Sequence, residues 1–554
     1  MLLGEVTNLL LDLERRYIMR DGVQAGGFMN INRRVFLGGA AGLLATARGG
    51  FAAAEPVVET ASGKVRGRVE NGVYTFLGVP YGAPTGGERR FLPPQKPEAW
   101  AGVRDALMIG HKSPQNRSSI IPEWGQLESK EDAGEDCLVL NVWTSGLGAS
   151  RKKPVMLWLH GGGYAVGSAG WAPYSGSQLA AKHDVVAVGC NHRLNLFGYL
   201  YLADTGVDRF AQASNVGMLD IVATLQWIHD NIAALGGDPS RVTIFGESGG
   251  GGKVSTLMAM PAAKGLFHRA IVESGAELRG TPRENAAAAA GRYLAKLNLK
   301  PSQAGQLQKM TVEQLQAAMP GTGVAGGPVV DGKSLPEKPW EPDAPALSAT
   351  VPLIIGSNAT EATFNQTTPL DDMDDAALKA QVKRSARVDD AEANTLIAAY
   401  KKDHPVNIDA YLALASDQFM GMVVQTEADR KAAQSAVAGN APVYRYFFAW
   451  KTPVRGGKLR TPHGLEIPFV MDNVDAAQSY TGAGKDRYGL AAKMAGAWAA
   501  FAHSGNPNHK GLIEWPAYKT DLKLTMVFDN ECKVASNPGG EARAALEAAQ
   551  KARV

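Results

Sequence analysis

The sequence is poor in cysteine: its 554 residues include only Cys137, Cys190 and Cys532, which argues against a fold held by a disulfide framework. It also lacks a charge excess, since 57 Lys and Arg oppose 54 Asp and Glu, and it has no long basic run. This balance argues against a dedicated surface for nucleic acid or an anionic membrane. No H-E-x-x-H motif, internal repeat or low-complexity linker occurs, so the sequence predicts no metal and no other cofactor.

What remains is the composition of an ordinary folded protein, with 45% hydrophobic and 20% charged residues. Short apolar runs that are typical of buried strands alternate with amphipathic stretches, of which 218–232 is the clearest helix. This alternation predicts an α/β fold with a large, mostly parallel central sheet flanked by helices, within one domain at 55–554. The predicted strands are 155–160, 185–190, 242–246, 270–273, 352–356 and 443–450.

Two helical stretches, 281–325 and 371–417, interrupt the strand pattern. Insertions at strand ends commonly form the walls of a substrate pocket. We therefore expect these helical insertions to form walls of a substrate pocket.

Residues 1–54 are predicted to be an export signal that is removed on maturation. Twin arginines at 33–34 precede an apolar run at 35–54 that ends in an A-x-A cleavage pattern, which indicates the twin-arginine route and a periplasmic or secreted protein. The acidic residues before Met29 are unusual for a signal, so Met29 is the expected start. A short membrane anchor is the alternative, although Arg48 interrupts the apolar run. No stable membrane association is expected after cleavage.

A candidate nucleophile follows the predicted strand at 242–246. The motif G-E-S-G-G places Ser248 between glycines, with a helix-compatible stretch behind it. A nucleophile on a strained strand-to-helix turn needs such small neighbours. The alternative is a Gly-rich nucleotide-binding turn, but the G-x-G-x-x-G spacing is not met.

A second glycine motif, H-G-G-G-Y, follows the predicted strand at 155–160. Consecutive glycines expose backbone N–H groups, which acyl transfer needs about 3 Å from the developing oxyanion. We assign Gly162, Gly163 and Gly249 to this oxyanion hole. A flexible loop is the alternative interpretation.

The serine needs a base, and the base needs an orienting acid. The chain order Ser, acid, His leaves His463, in a Pro-His-Gly turn, as the preferred base. Glu361, just beyond a buried strand, is the preferred acid, and Asp331 is its rival. The other histidines considered, which are better interpreted as surface residues, are His404, His503 and His509.

These motifs together resemble the type-B carboxylesterase and cholinesterase-like family of α/β hydrolases, over nearly all of 56–530. The resemblance implies a sheet of about eleven strands, a gorge-like pocket and a Ser-Glu-His triad at Ser248, Glu361 and His463. The segments that carry it are FLGVPYGAP, GEDCLVLNVW, HGGGY, NHRLNLFGYL, NVGMLDIVATLQWIHDNIAALGGDPSRVTIFGESGGG, PVVDG, GSNATEATF, HGLEIPFV and GNPN.

The chain departs from the family in three places. Gly249 stands where most members have Ala, which predicts more room for bulky esters. Ser113 replaces one cysteine of the family's early disulfide, so Cys137 is expected to be unpaired. Trp124 lies in the region where cholinesterases place a cation-binding Trp, but its spacing does not match and a plain pocket or surface aromatic is the alternative.

Other residues of the family segments are expected to support the scaffold or the site. Glu135, Asp136 and Arg193 are predicted to form buried ion pairs that tie loops to the sheet. Glu247 is predicted to support the site through buried hydrogen bonds. The aromatic residues that could line the pocket, or alternatively belong to the core, are Tyr164, Trp171, Tyr174, Phe364 and Phe419.

The sequence therefore predicts a serine esterase that cleaves a small-molecule carboxylic ester. An amidase or transesterase with the same triad, or a non-catalytic cholinesterase-like binding protein, are the alternatives. Neither the physiological ester nor the oligomeric state follows from the sequence.

Overall fold

The computed structural model describes residues 55–116, 121–321, 326–365 and 371–551. The predicted export signal at 1–54 lies outside these ranges. No helix within them is both long and apolar enough to cross a bilayer.

An eleven-stranded sheet forms the centre of the fold, which confirms the predicted α/β architecture. The order across the sheet is β1-β2-β3-β5-β4-β6-β7-β8-β9-β10-β11, and all neighbours from β5 to β10 are parallel. The strands are β1 (Arg68–Glu70), β2 (Val73–Pro80), β3 (Val139–Thr144), β4 (Lys153–Leu159), β5 (Val186–Cys190), β6 (Gly237–Glu247), β7 (Arg269–Glu273), β8 (Leu353–Asn358), β9 (Val443–Phe448), β10 (Leu524–Phe528) and β11 (Lys533–Ser536).

Both faces of the central part of this sheet are covered, which explains why inner strands such as β4 and β5 are buried throughout rather than alternating. In β4, Met156 and Trp158 belong to the core on one face, whereas Val155 and Leu157 belong to the core on the other. The helix Asp486–Ser504 packs into the first core and the helix Val216–Asn231 into the second, where the sequence predicted a helix. The apolar runs in the sequence therefore indicate strands that are buried on both faces of the sheet.

Both predicted insertions are helical among the described residues. The second insertion continues into a five-residue π-helix, Asp417–Gly421, which reaches the active-site side of the sheet through Phe419. The α-helices in chain order are Pro122–Gly125, Ser177–Lys182, Asn195–Tyr199, Val216–Asn231, Gly249–Leu257, Arg283–Lys296, Val312–Ala318, Asp375–Ala386, Asp390–Lys401, Asn407–Ser416, Met422–Ser435, Ile467–Val470, Gln478–Thr481, Asp486–Ser504 and Gly540–Lys551. The described ranges also contain two small sheets, with strands Val57–Thr60, Gly63–Arg66 and Val103–Asp105 in one and Thr281–Pro282 and Val329–Val330 in the other.

Two of the three predicted residues form ion pairs, but one pair joins two loops and the other joins a loop to the helix Val216–Asn231, so neither ties a loop directly to the sheet. Glu135 pairs with Arg90 at 2.6 Å, and Arg193 pairs with Asp220 at 2.6 Å. The prediction for Asp136 is wrong, because its side chain is exposed and makes no ion pair within the described ranges.

The three cysteines, which all fall in described segments, are free. Cys190 is a buried residue of β5, as predicted, and Cys137 is also buried.

Candidate active site

The three candidate catalytic residues lie beyond the carboxyl ends of neighbouring parallel strands. Ser248 directly follows β6, Glu361 begins a short 3-10 helix after β8, and His463 lies in the loop after β9. Because these strands are near neighbours in one sheet, residues more than 200 positions apart in sequence meet at one edge. Ser248 and His463 line the same cavity of about 570 Å³.

Ser248 occupies a strained turn between β6 and the helix Gly249–Leu257. Its φ of 57° and ψ of −123° are unfavourable for a residue with a side chain. Two backbone hydrogen bonds hold Ser248 in this conformation. Its amide donates to the carbonyl of Glu273 at 2.8 Å, and its carbonyl accepts from the amide of Gly252 at 3.0 Å. The turn presents the hydroxyl at the cavity wall, in the arrangement that the G-x-S-x-G motif predicts.

Glu361 and His463 are in direct contact. Nδ1 of His463 lies 2.6 Å from Oε2 of Glu361, and both residues are buried. The other carboxylate oxygen of Glu361 accepts from the Ser274 hydroxyl and from the backbone amide of Asn358, each at 2.6 Å. A carboxylate fixed in this way keeps the proton on Nδ1, which leaves Nε2 able to accept another.

Nε2 of His463 lies 3.1 Å from Oε1 of Glu247, within ion-pair distance. The contact lacks hydrogen-bond geometry, and Oε1 of Glu247 has no hydrogen-bond partner in the described part of the chain. The expectation that Glu247 supports the site through buried hydrogen bonds is therefore wrong. Its buried carboxylate instead faces the imidazole at the cavity wall.

The Ser248 hydroxyl makes no side-chain hydrogen bond to any described residue, His463 included. Hydrogen bonds between a nucleophile and its base are often long in an empty site and tighten when substrate binds.

The imidazole is electrostatically coupled to a group of buried glutamates. Burial alone would lower the pKa of His463, but the charges of Glu247 and Glu361 outweigh burial and raise the pKa to about 9. Burial raises the pKa of Glu247 to about 7, against the attraction of His463. Burial likewise raises the pKa of Glu273 to about 8 and that of Glu466 well above its usual range. Protonation of Glu273 and Glu466 limits the negative charge that the site must hold.

Two of the predicted oxyanion donors, Gly162 and Gly163, line the same cavity, and the third, Gly249, directly follows Ser248. Gly162 and Gly163 are exposed and adopt φ angles of +85° and +62°, and a Cβ on Gly162 would lie 2.3 Å from the Val166 carbonyl oxygen. Only glycine fits such a turn. In the described ranges, none of the amides of Gly162, Gly163 and Gly249 donates to another protein group. All three are therefore available to a ligand.

The extra room expected beside Gly249 is absent. A Cβ built there would lie 2.1 Å from the carbonyl oxygen of Gly163 and 2.4 Å from its Cα. The loop His160–Gly163, called the glycine loop below, fills the space that an alanine methyl would take. Gly249 thus allows close backbone approach, and the expectation of space for bulky esters at this point is wrong.

Aromatic side chains form most of the apolar wall of the cavity. The ring centres of Phe364 and Phe419 lie 5.6 and 5.2 Å from that of His463. The other aromatic residues that line it are Trp124, Trp171 and Tyr174, while polar residues elsewhere on the wall include Lys112, Gln115, Glu128 and Lys130. Tyr164 is not a lining residue, because its ring packs against Tyr199 at 5.2 Å.

The rival candidates lie elsewhere. Asp331 accepts from the amides of Lys333 and Leu335 and from the Ser334 hydroxyl, so its carboxylate stabilises a turn. His503 and His509 contact main-chain carbonyls at 3.1 and 3.0 Å, and neither they nor His404 border the cavity.

Sequence reasoning missed four residues: Ser274, Asn358 and Glu466, which surround the acid, and Lys253, which lies under the glycine loop. The amide nitrogen of the Asn358 side chain donates to Glu466 at 2.5 Å, and Ser274 lies 3.4 Å from the same carboxylate. The one available signal was position, since Glu466 is three residues after the candidate base. No group of three or more His, Cys, Asp or Glu side chains in the described ranges is arranged to hold a metal ion.

A mixed eleven-stranded sheet with a serine on a strand-to-helix turn at its carboxyl edge defines an α/β hydrolase. The chain belongs to the carboxylesterase family, whose model matches residues 54–545, and it is a carboxylic ester hydrolase. It is 34% identical over 501 residues to the para-nitrobenzyl esterase of Bacillus subtilis, with 88% of this chain and 98% of that esterase covered.

Solved structures of esterases share this fold. An esterase from Clostridium hathewayi that can hydrolyse aliphatic aromatic polyesters superposes with a TM-score of 0.77 at 32% identity, covering 89% of this chain and 98% of that one. A carboxylesterase of Geobacillus stearothermophilus superposes with a TM-score of 0.74 at 36% identity, covering 88% and 99%.

Proposed function

We propose that the protein hydrolyses small-molecule carboxylic esters through an acyl-enzyme on Ser248, with His463 as base and Glu361 as the residue that orients it. The observation that carries this proposal is the 2.6 Å contact between Glu361 and Nδ1 of His463, beside a cavity that also exposes Ser248 on its strained turn. The free amides of the glycine loop and of Gly249 supply the oxyanion hole.

In the first half-reaction the Ser248 hydroxyl oxygen attacks the ester carbonyl carbon, and its proton passes to Nε2 of His463. The tetrahedral oxyanion accepts hydrogen bonds from the amides of Gly162, Gly163 and Gly249. The bond to the alcohol oxygen then breaks, and His463 returns the proton to the leaving alkoxide. Because Nε2 contacts Glu247 in the empty site, acylation exchanges this contact for one with the serine.

In the second half-reaction water replaces the alcohol. His463 takes a proton from the water as it attacks the acyl carbon, and the same amides stabilise the second oxyanion. The bond to the Ser248 oxygen breaks, the serine regains its proton, and the carboxylic acid leaves.

The cavity favours esters with apolar or aromatic groups. Its aromatic wall, which includes Trp124, Trp171 and Phe364, supplies contact area that flat apolar groups fill. The para-nitrobenzyl group in the name of one relative, which contains an aromatic ring, is consistent with this preference.

Hydrolysis of a short-chain p-nitrophenyl ester by the purified protein tests the proposal. We expect Ser248→Ala to abolish turnover and Ser240→Ala, an exposed serine bonded to Asp238, to retain it. Full turnover by Ser248→Ala would refute the proposal. A comparable rate on the matching p-nitroanilide would make the protein an amidase.

We further propose that residues 1–54 direct export by the twin-arginine route. N-terminal sequencing of the exported protein tests this, and we expect a chain that begins at Glu55. A mature chain that still contains residues 33–34 would contradict it.

A further inference from the structure

Lys253 is a buried lysine with no acidic partner. Its side chain is 0% exposed, and no carboxylate in the described ranges lies within ion-pair distance of it. Burying an ammonium group is costly unless hydrogen bonds satisfy it. Nζ donates to the carbonyl of His160 at 3.0 Å and to that of Gly163 at 2.8 Å, and it lies 5.4 Å from the ring centre of Tyr164. Both acceptors are the end residues of the glycine loop.

Each of the four carbonyls of the glycine loop contacts a polar group, and Lys253 contacts two of them. Lys253 holds the first and last, Nδ1 of His160 lies 2.9 Å from the carbonyl oxygen of Gly161, and the Gly162 carbonyl accepts from the amide of Val166 at 3.1 Å. Burial and the nearby Lys253 lower the pKa of His160 to about 3, so its ring is neutral and Nδ1 can carry the donated proton. In a trans peptide the N–H points opposite to the C=O. Each carbonyl shares its peptide group with the amide of the next residue, so the His160 ring and the Val166 amide orient the amides of Gly162 and Gly163 directly. Lys253 holds the two peptide groups on either side of them and so fixes both ends of the loop.

The helix that carries Lys253 is shaped to receive this loop. Its first turn begins at Gly249, whose missing Cβ lets the Gly163 carbonyl approach, and a Cβ on Gly252 would lie 2.7 Å from the hydroxyl oxygen of Tyr164. Lys253 and Gly249 thus act on the same peptide group from one helix. The lysine attracts the Gly163 carbonyl, and the glycine leaves room for it.

We propose that Lys253 is a positioning residue for ester hydrolysis: it holds the glycine loop so that the amides of Gly162 and Gly163 face the oxyanion, and it depends on Gly249 to do so. This inference rests on the proposed function, because it assigns a role within the same oxyanion hole. Burial lowers the pKa of Lys253 to about 7. Since a neutral amine still carries two N–H donors, the two hydrogen bonds persist in either protonation state.

The test compares Lys253→Met with a matched control, Lys431→Met, in the full chain. Lys431 is also 0% exposed and donates to two main-chain carbonyls, those of Ser348 and Ala349, but it does not border the cavity. We expect kcat of Lys253→Met on a p-nitrophenyl ester to fall about 10²-fold, as on loss of an oxyanion donor. KM should change less than threefold, and affinity for a trifluoromethyl ketone should fall with kcat. Lys431→Met should retain the wild-type kcat. The value of kcat is calculated per active site, and the active sites are counted by titration with a fluorophosphonate.

Gly249→Ala provides an independent variant, because its Cβ would displace the Gly163 carbonyl. We expect a similar loss of kcat, and the double variant with Lys253→Met should lose much less than the product of the two single losses. If Lys253→Met does not fold, Lys253→Gln replaces it in the same comparison: a lowered kcat at little-changed KM supports the inference, and an unchanged kcat overturns it. Wild-type kcat in Lys253→Met would also overturn it, provided that Ser248→Ala is inactive. Activity in Ser248→Ala would instead refute the proposed function itself.

Discussion

The contact between Glu247 and His463 predicts how the activity depends on pH. An ionised Glu247 stabilises the protonated imidazole, which cannot act as a base. Glu247→Gln removes the charge while keeping the shape of the side chain. The protonated form of His463 loses a partner, its pKa falls, and the neutral base is present at lower pH. The acidic limb of the kcat/KM profile should therefore move to lower pH.

The size of the effect follows from the geometry. At an effective dielectric constant of about 20, two unit charges at the 3.1 Å separation of Nε2 and Oε1 interact by about 5 kcal/mol. One pKa unit corresponds to about 1.4 kcal/mol. Even if only a quarter of this interaction energy is lost in Glu247→Gln, the pKa of His463 falls by about one unit. We expect a displacement of at least about one pH unit.

The assay is kcat/KM for a p-nitrophenyl ester at a series of pH values, because this profile reports the free enzyme. Glu128→Gln is the control, since Glu128 also lines the cavity but makes no contact with His463. An acidic limb that stays in place in Glu247→Gln, or that moves to higher pH, would refute the reasoning.

Three further predictions follow from the site and its surroundings. Glu361→Gln should lower kcat about 10³- to 10⁴-fold with little change in KM, because His463 loses the carboxylate that selects its tautomer, and steady-state kinetics measure this. Phe364→Ala should raise KM for small aromatic esters several-fold while sparing bulkier ones, which a substrate series in acyl size would show. Trp498→Phe should lower the free energy of unfolding by about 2–4 kcal/mol, since the buried Glu273 loses its 2.7 Å hydrogen bond; an unchanged urea midpoint would contradict this.

The parts of the site that could be located from the sequence are those formed by a few adjacent residues. The turn at Ser248 and the glycine loop each need several glycines in a row after a strand, and those glycines are visible as letters. Glu361 was found because it follows an apolar strand, and His463 because of the chain order and its Pro-His-Gly turn. Asp331, the rival acid, proved to be a turn residue.

The residues that sequence reasoning missed depend on contacts between distant segments. Lys253 looks like any lysine on a short helix, and only the packing of that helix under the glycine loop explains its burial. The same packing explains why Gly249 gives no extra room and why Tyr164 turns away from the cavity. Ser274 and Glu466 join the site through side chains that no local pattern connects.

The central claim is that an acyl group is carried by Ser248, and trapping that intermediate tests it most directly. A p-nitrophenyl carbamate acylates serine hydrolases but leaves slowly, so the modified protein can be digested and its peptides examined by mass spectrometry. We expect one carbamoyl group per chain, on Ser248, with loss of ester hydrolysis in proportion. Modification of another residue with the same loss of activity, or continued hydrolysis by a fully carbamoylated Ser248, would contradict it.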